Sequence, residues 1–148
     1  MFHRILVAVD PSPVRHTALR LAAELAGLTG AKVNVLHVAA SEATLAAVVP
    51  LEDEAEAKAV LDESVAELRD KGVDAQGTLA VGLTTQIAPT IAGTAEDFQA
   101  DLLILSPHHR SSLDAFFNPR VSDAVAHASR TPILLVPESD EKAGGGKS

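Results

Sequence analysis

Hydrophobic residues along this chain fall into short unbroken blocks, separated by longer stretches where they recur every third or fourth position. The blocks are Ile5-Leu-Val-Ala-Val9, Ala31 to Val38, Val73 to Val81, Leu102 to Leu105 and Ile133 to Val136. An aliphatic, β-branched run without polar alternation reads as a strand buried on both faces, as in a parallel sheet. Val73 to Val81 is more polar, which predicts a place nearer the sheet edge. The stretches between the blocks carry helical stripes: Val14, Ala18, Leu21, Ala22 and Leu25; Leu51, Ala55, Lys58, Leu61, Val65 and Leu68; Ile87, Ile91 and Phe98; and Val121, Ala124, Val125 and Ala128.

The punctuation agrees with that division. Ser12 can cap the first helix, with Pro13 at its first position. Gly27 and Gly30 end it, and Lys71-Gly72 ends the second. Gly82 turns the chain, and Thr84 or Thr85 can cap the third helix, whose Pro89 falls in the first turn or so, where a missing N–H is tolerated. Gly93 weakens that helix. Ser41 to Pro50, small and apolar, reads as an irregular connector. Strand and helix alternate four times and close on a strand. This predicts a single-domain α/β fold, an open five-stranded parallel sheet with four helices on both faces, Rossmann-like, over residues 1–137. Residues 138–148 are polar and glycine-rich and read as a flexible tail.

Composition narrows the function classes. With 148 residues and 47 % hydrophobic content, the chain can bury one substantial core. A formal net charge of −8, without a Lys/Arg cluster, repels a phosphate backbone. Aromatics are 3 %, with no Trp or Tyr, which argues against a stacking platform for single strands. Nucleic acid is therefore not an expected partner. The lack of cysteine excludes disulfides, thiol catalysis and thiolate metal sites. No stretch is long enough to span a bilayer, and the apolar run at the N-terminus is too short for a signal peptide, so a cytoplasmic protein without membrane contact is expected.

Few motifs survive inspection. Ala143-Gly-Gly-Gly-Lys-Ser148 resembles the end of a phosphate-binding P-loop, but the first glycine of that motif would fall on Glu141, and the motif needs a helix after it. His108 and His109 lack an evident third metal ligand, while His16, His37 and His127 lie on separate elements; no metal site is predicted. His37, on a strand, reads as a core or rim histidine. Ser106, His108 and Asp114 share one loop, yet no catalytic triad can be assigned, and no carboxylate pair stands out. The chain is read as non-enzymatic. Asp10 ends the first strand, where a carboxylate could hold a ribose or adenine group or could cap the turn before Pro11.

Three segments, in order, resemble the universal stress protein family: Arg4-Ile-Leu-Val-Ala-Val-Asp10 followed by Ser12; Ala31 to His37-Val38; and Ala100-Asp-Leu-Leu-Ile-Leu, then Arg110-Ser111, then Val121 onward to Pro132-Ile-Leu-Leu-Val136. The resemblance covers nearly the whole chain except the tail. It implies an adenine nucleotide alpha hydrolase-like fold and a stress-response or regulatory role. Family members that bind ATP are similar to G-x-x-G, nine residues, then G-S or G-T, in the loop after the fourth strand. Here Ser106, His109, Pro119 and Arg120 stand at those four positions, and Pro11 replaces a glycine common after the first strand. Proline has no N–H to offer a phosphate and cannot take positive φ. The expectation is thus a protein with no cofactor, not binding ATP in the usual way. The alternative is a regulator that holds ATP, AMP or cyclic AMP through an altered loop, with slow ATPase activity as its extension. Asp10, Pro11, Val38, Ser106, His109, Arg110, Arg120 and Val121 would then form the site. The resemblance also implies a homodimer through the last strand, Ile133, Leu134, Leu135 and Val136, whose edge backbone invites pairing. A further protein partner is left open.

Overall fold

The structure is a computed structural model that describes residues 1–50, 53–106 and 119–137. Its elements are β1 (Arg4–Val9), α1 (Val14–Thr29), β2 (Lys32–Ala43), β3 (Val48–Pro50), α2 (Glu54–Asp70), β4 (Ala75–Leu83), a single 3-10 turn (Thr84–Gln86), α3 (Ile87–Phe98), β5 (Leu102–Leu105), α4 (Pro119–Ala128) and β6 (Ile133–Leu135). β4, β2, β1, β5 and β6 lie side by side in that order, all parallel. The five predicted strands are present, and a sixth adds to them. β2 runs on to Ala43 rather than ending at Val38, and β3 pairs antiparallel with its last residues, so the expected connector is a hairpin and the sheet is mixed. Thr44 Oγ1 closes the hairpin by donating to the Ala47 carbonyl at 2.7 Å. Ser41 pairs with Pro50 on one side and Leu83 on the other, so β3 continues the side of β2 that β1 occupies.

β1 explains the layering. Ile5, Val7 and Val9 point to one face and pack with α1 and α2 through Leu19, Leu61, Val65 and Leu68. Leu6 and Ala8 point to the other and pack with α3 and α4 through Ile87, Ile91 and Val125. Each buried aliphatic side chain contributes about 1.5–3 kcal/mol of transfer free energy, so a continuous apolar run is stable only when helices cover both faces. Gly77 lets α2 sit close on β4, since a Cβ there would come within 2.9 Å of Val65 Cγ2.

Several expected details shift. Gly27 lies inside α1, and only Gly30, in the left-handed conformation at φ 76°, ends it. α2 starts at Glu54, capped by Asp53 and Glu56 in a reciprocal box that the sequence reading missed. Ala55 and Lys58 are exposed, with Ala57 and Ser64 buried in their place; Leu51 lies outside the described residues. The third strand starts two residues later than expected, because Val73 closes the α2 terminus by donating to the Leu68 carbonyl around left-handed Gly72. Neither Thr84 nor Thr85 caps α3, which follows the 3-10 turn with no side-chain cap. In α4, Ala124 and Ala128 are exposed, and Ser122 joins Val125 in the interior.

The start of β1 is fastened to the start of β5 by Asp101. Its carboxylate accepts from the His3 N–H at 2.8 Å and the Arg4 N–H at 3.0 Å. Partial burial pushes the Asp101 carboxyl up, but the N–H groups of Arg4, His3 and Asp101 itself, with the His3 charge, hold it below its ordinary value. A lowered folded-state value stabilises the fold above the unfolded pKa, and the gain disappears as pH falls through the folded value. Asp101→Asn is expected to cost about 1 kcal/mol at pH 7, after allowance for its partial exposure, and to flatten the loss of stability below about pH 4. Urea unfolding of both proteins between neutral and acid pH checks this.

Candidate functional site

The connection after β1 runs to α1 on one face of the sheet, and the connection after β5 runs to α4 on the other. The two neighbouring strands therefore send their chains apart, which opens a crevice at their carboxyl ends, where ligands bind in sheets of this kind. Ile5 pairs with Leu102 and Val7 with Ile104, so the same register sets Val9 beside Ser106 at the mouth.

The loop leaving β1 is held by its own residues. Asp10, 3 % exposed, accepts the Ser12 N–H on Oδ1 at 2.9 Å. Ser12 Oγ accepts the Val14 N–H at 3.2 Å, so Ser12 does act as the helix cap. Of the two readings of Asp10, the turn-capping one has a hydrogen bond to support it, and it leaves the carboxylate still at the crevice. Arg15, which the sequence reading passed over, donates from Nη1 to the carbonyls of Pro11 at 2.7 Å and Ser12 at 3.2 Å. Its Nη2 meets Glu63 of α2 at 3.3 Å. A cation three and four residues after two turn carbonyls was the available signal. The two Nη groups of this guanidinium thus brace the loop and Glu63, while its Nε is buried without a hydrogen-bond partner among the described residues. His37 is fully buried, as expected of a core histidine, and its Nδ1 bonds the Val9 carbonyl at 2.9 Å.

On the β5 side, Ser106 is 4 % exposed, and its Oγ has no hydrogen-bond partner among the described residues. α4 begins at Pro119, so the N-terminus of the helix facing the crevice opens on a residue that lacks an N–H. Asp10, Pro11 and Ser106 thus share the crevice mouth. Val38 lies in the α3–α4 core, with Val121 packed against it. His109 and Arg110 lie outside the described residues, as do His108 and Asp114, and Arg120 is placed by its backbone alone, as the second residue of α4. Of the residues read as a dimer edge, Ile133 and Leu134 are half-buried and Leu135 is 51 % exposed. Val136 departs from that reading: it is buried in the α1–α2 core, and its N–H donates to the Leu105 carbonyl.

A doubly wound sheet with a crevice between its first and fourth parallel strands defines the class: an α/β domain of the kind that receives nucleotides at this point. The sequence pattern of the universal stress protein family matches residues 1–137, and the chain belongs to that family. Solved structures agree. A universal stress protein from Archaeoglobus fulgidus superposes with TM-score 0.70 at 26 % identity, over 91 % of this chain and 98 % of that one. The Archaeoglobus fulgidus universal stress protein in complex with dAMP gives TM-score 0.67 at 26 % identity, over 90 % and 96 %. A universal stress protein in complex with cAMP gives TM-score 0.67 at 21 % identity, over 91 % and 96 %, and shows the shared fold. A search of curated proteins by sequence finds no match. Among the described residues, no helix is long and apolar enough to cross a membrane.

A buried hydroxyl without a partner costs roughly 1–3 kcal/mol of desolvation. Ser106→Ala is therefore expected to leave stability unchanged or raise it by about 1 kcal/mol. A loss of more than that in urea unfolding would mean that the hydroxyl has a partner in solution.

Proposed function

We propose that this chain is a non-enzymatic, cytoplasmic member of its family, a dimeric regulator in a stress response that does not take up ATP by the glycine-lined route. The observation that carries this reading is Pro119 at the first position of α4. The route used by ATP-binding members depends on backbone N–H groups converging on phosphates at this helix N-terminus. A proline there removes one donor and cannot take the positive φ open to glycine. Ser106, at the first glycine position, brings a side chain to the end of β5 on the same side of the crevice. Arg15 offers no replacement, being engaged with Pro11, Ser12 and Glu63.

One observation favours a second reading, a regulator that binds a nucleotide without its triphosphate as the anchor. The Archaeoglobus fulgidus relative at 26 % identity was solved with dAMP, and this chain keeps the buried Asp10 at the crevice mouth. Asp10, Val38, Arg110 and Arg120 would then carry the contact. Calorimetric titration separates the two readings. The first expects no heat with ATP, AMP or cyclic AMP and no adenine absorbance in the purified protein, which is easily seen without Trp or Tyr. Joint replacement by Ser106→Gly, His109→Gly, Pro119→Gly and Arg120→Ser should raise ATP affinity at least about tenfold. Tight ATP binding by the unaltered chain would overturn the first reading.

The dimer is assigned to β6. This strand pairs only with β5 among the described residues and ends in exposed Leu135. Leu135→Lys should convert the dimer to a smaller species by light scattering, since two lysines would face each other across an isologous edge. An unchanged mass would remove β6 as the interface.

A further inference from the structure

At the end of the sheet away from the crevice, α3 leads into β5 and α4 leads into β6. A cavity of about 360 Å³ lies there, between the C-terminal ends of the two helices. Alanine lines it on both sides, Ala92, Ala95 and Ala100 from α3 and its exit and Ala128 from α4. Side chains so short leave the gap between the helix ends open. The space is at the low end of ligand pockets, which run to about 300–1,000 Å³, and suits a molecule smaller than a nucleotide.

Three polar side chains give the cavity its chemistry. Glu96 lines it from α3, and Arg130 lines it from the turn after α4. Neither side chain makes a hydrogen bond or an ion pair among the described residues. Gln99 ends α3 at φ 58° and is the only non-glycine residue with positive φ among the described residues. A left-handed helix end favours glycine or asparagine, so a longer side chain there costs stability. The chain carries glutamine instead, and its carboxamide, which both donates and accepts, lines the cavity with the two charges. We propose that this cavity binds a small zwitterion, a molecule with one ammonium and one carboxylate. Arg130 takes the carboxylate through paired N–H donors, Glu96 takes the ammonium, and the Gln99 amide adds a hydrogen bond. A simple anion would meet the like charge of Glu96, and a simple cation that of Arg130, so the pair discriminates against both.

The proposal is independent of what the crevice binds. Amide NMR of the whole chain tests it, by titration with glycine, β-alanine and γ-aminobutyrate. That series separates ammonium from carboxylate by one more methylene at each step. Ethylamine and acetate are the single-charge probes. Saturable shifts are expected within residues 92–100 and 128–131, with one zwitterion binding at least about tenfold tighter than ethylamine or acetate. Glu96→Gln and Arg130→Gln, both at exposed positions, should each weaken that binding about tenfold and leave the unfolding midpoint unchanged. Gln99→Gly should raise the unfolding midpoint by relieving the left-handed residue and should still weaken binding, which separates recognition from folding. No saturable shift with any of the three zwitterions overturns the proposal. Acetate binding as tightly as the zwitterions also overturns it, since that marks an adventitious ion only. So does zwitterion binding that survives both charge substitutions.

Discussion

The architecture depends on one strand being buried on both faces. β1 has β2 on one side and β5 on the other, and none of Ile5, Leu6, Val7 or Ala8 retains measurable exposure. A strand so placed requires helices above and below, and it requires the chain to leave it toward one face while its neighbour β5 leaves toward the other. The crevice is the geometric result. Asp101 secures the pairing at the far end by joining N–H groups nearly a hundred residues away in sequence. That contact closes a long loop with two charge-assisted hydrogen bonds, at the end of the strands away from the crevice.

Topology supplies the crevice, but topology does not decide what enters it. That decision lies with a few atoms at the strand ends. On the β1 side the loop is tied by the Asp10–Ser12 and Ser12–Val14 hydrogen bonds and by the Nη groups of Arg15, whose Nε is buried without a hydrogen-bond partner among the described residues. On the β5 side the groups are of another kind: a buried hydroxyl without a described partner and a helix that opens on proline. Phosphate recognition by backbone requires small residues and free N–H groups in the second place, and those are what this chain has replaced. On the reading proposed above, the family fold persists while its usual means of holding a triphosphate is altered, as expected when site and scaffold vary separately.

Much of this was legible in the sequence. The strands showed as unbroken aliphatic runs, because burial on both faces leaves no polar alternation, and Leu102 to Leu105 was read to the residue. Ser12 and Gly30 marked helix ends by local chemistry that needs no tertiary context. What failed to show depended on partners far away. Ser41 to Ala43 looked like the start of an irregular connector, since alanine and serine have little strand preference, and they are strand because β3 flanks them and β4 reaches Ser41. Ala124 and Ala128 looked like a core stripe because alanine is apolar, yet α4 turns its larger residue Val125 inward and leaves them out. The role of Arg15 was hidden because its acceptors are backbone carbonyls, which no residue type announces.

The two free edges of the sheet present different problems to the same protein. β6 is three residues long, and its last core contact, Val136, is already turned inward. Short edges are among the ways a sheet avoids unwanted pairing, so association there needs side-chain contacts to add to a brief ladder. β4 has the opposite character: nine residues without charge or proline that pair only with β2 among the described residues, beside a cavity whose lining mixes Leu61, Val65 and Leu79 with Lys58, Asp62, Arg69 and Asp70. A net charge of −8 opposes self-association at long range, but that repulsion is screened within about 10 Å at ordinary salt, whereas strand pairing and side-chain packing act at contact. The balance at β4 is therefore set by local complementarity at the strand rather than by the charge of the whole chain.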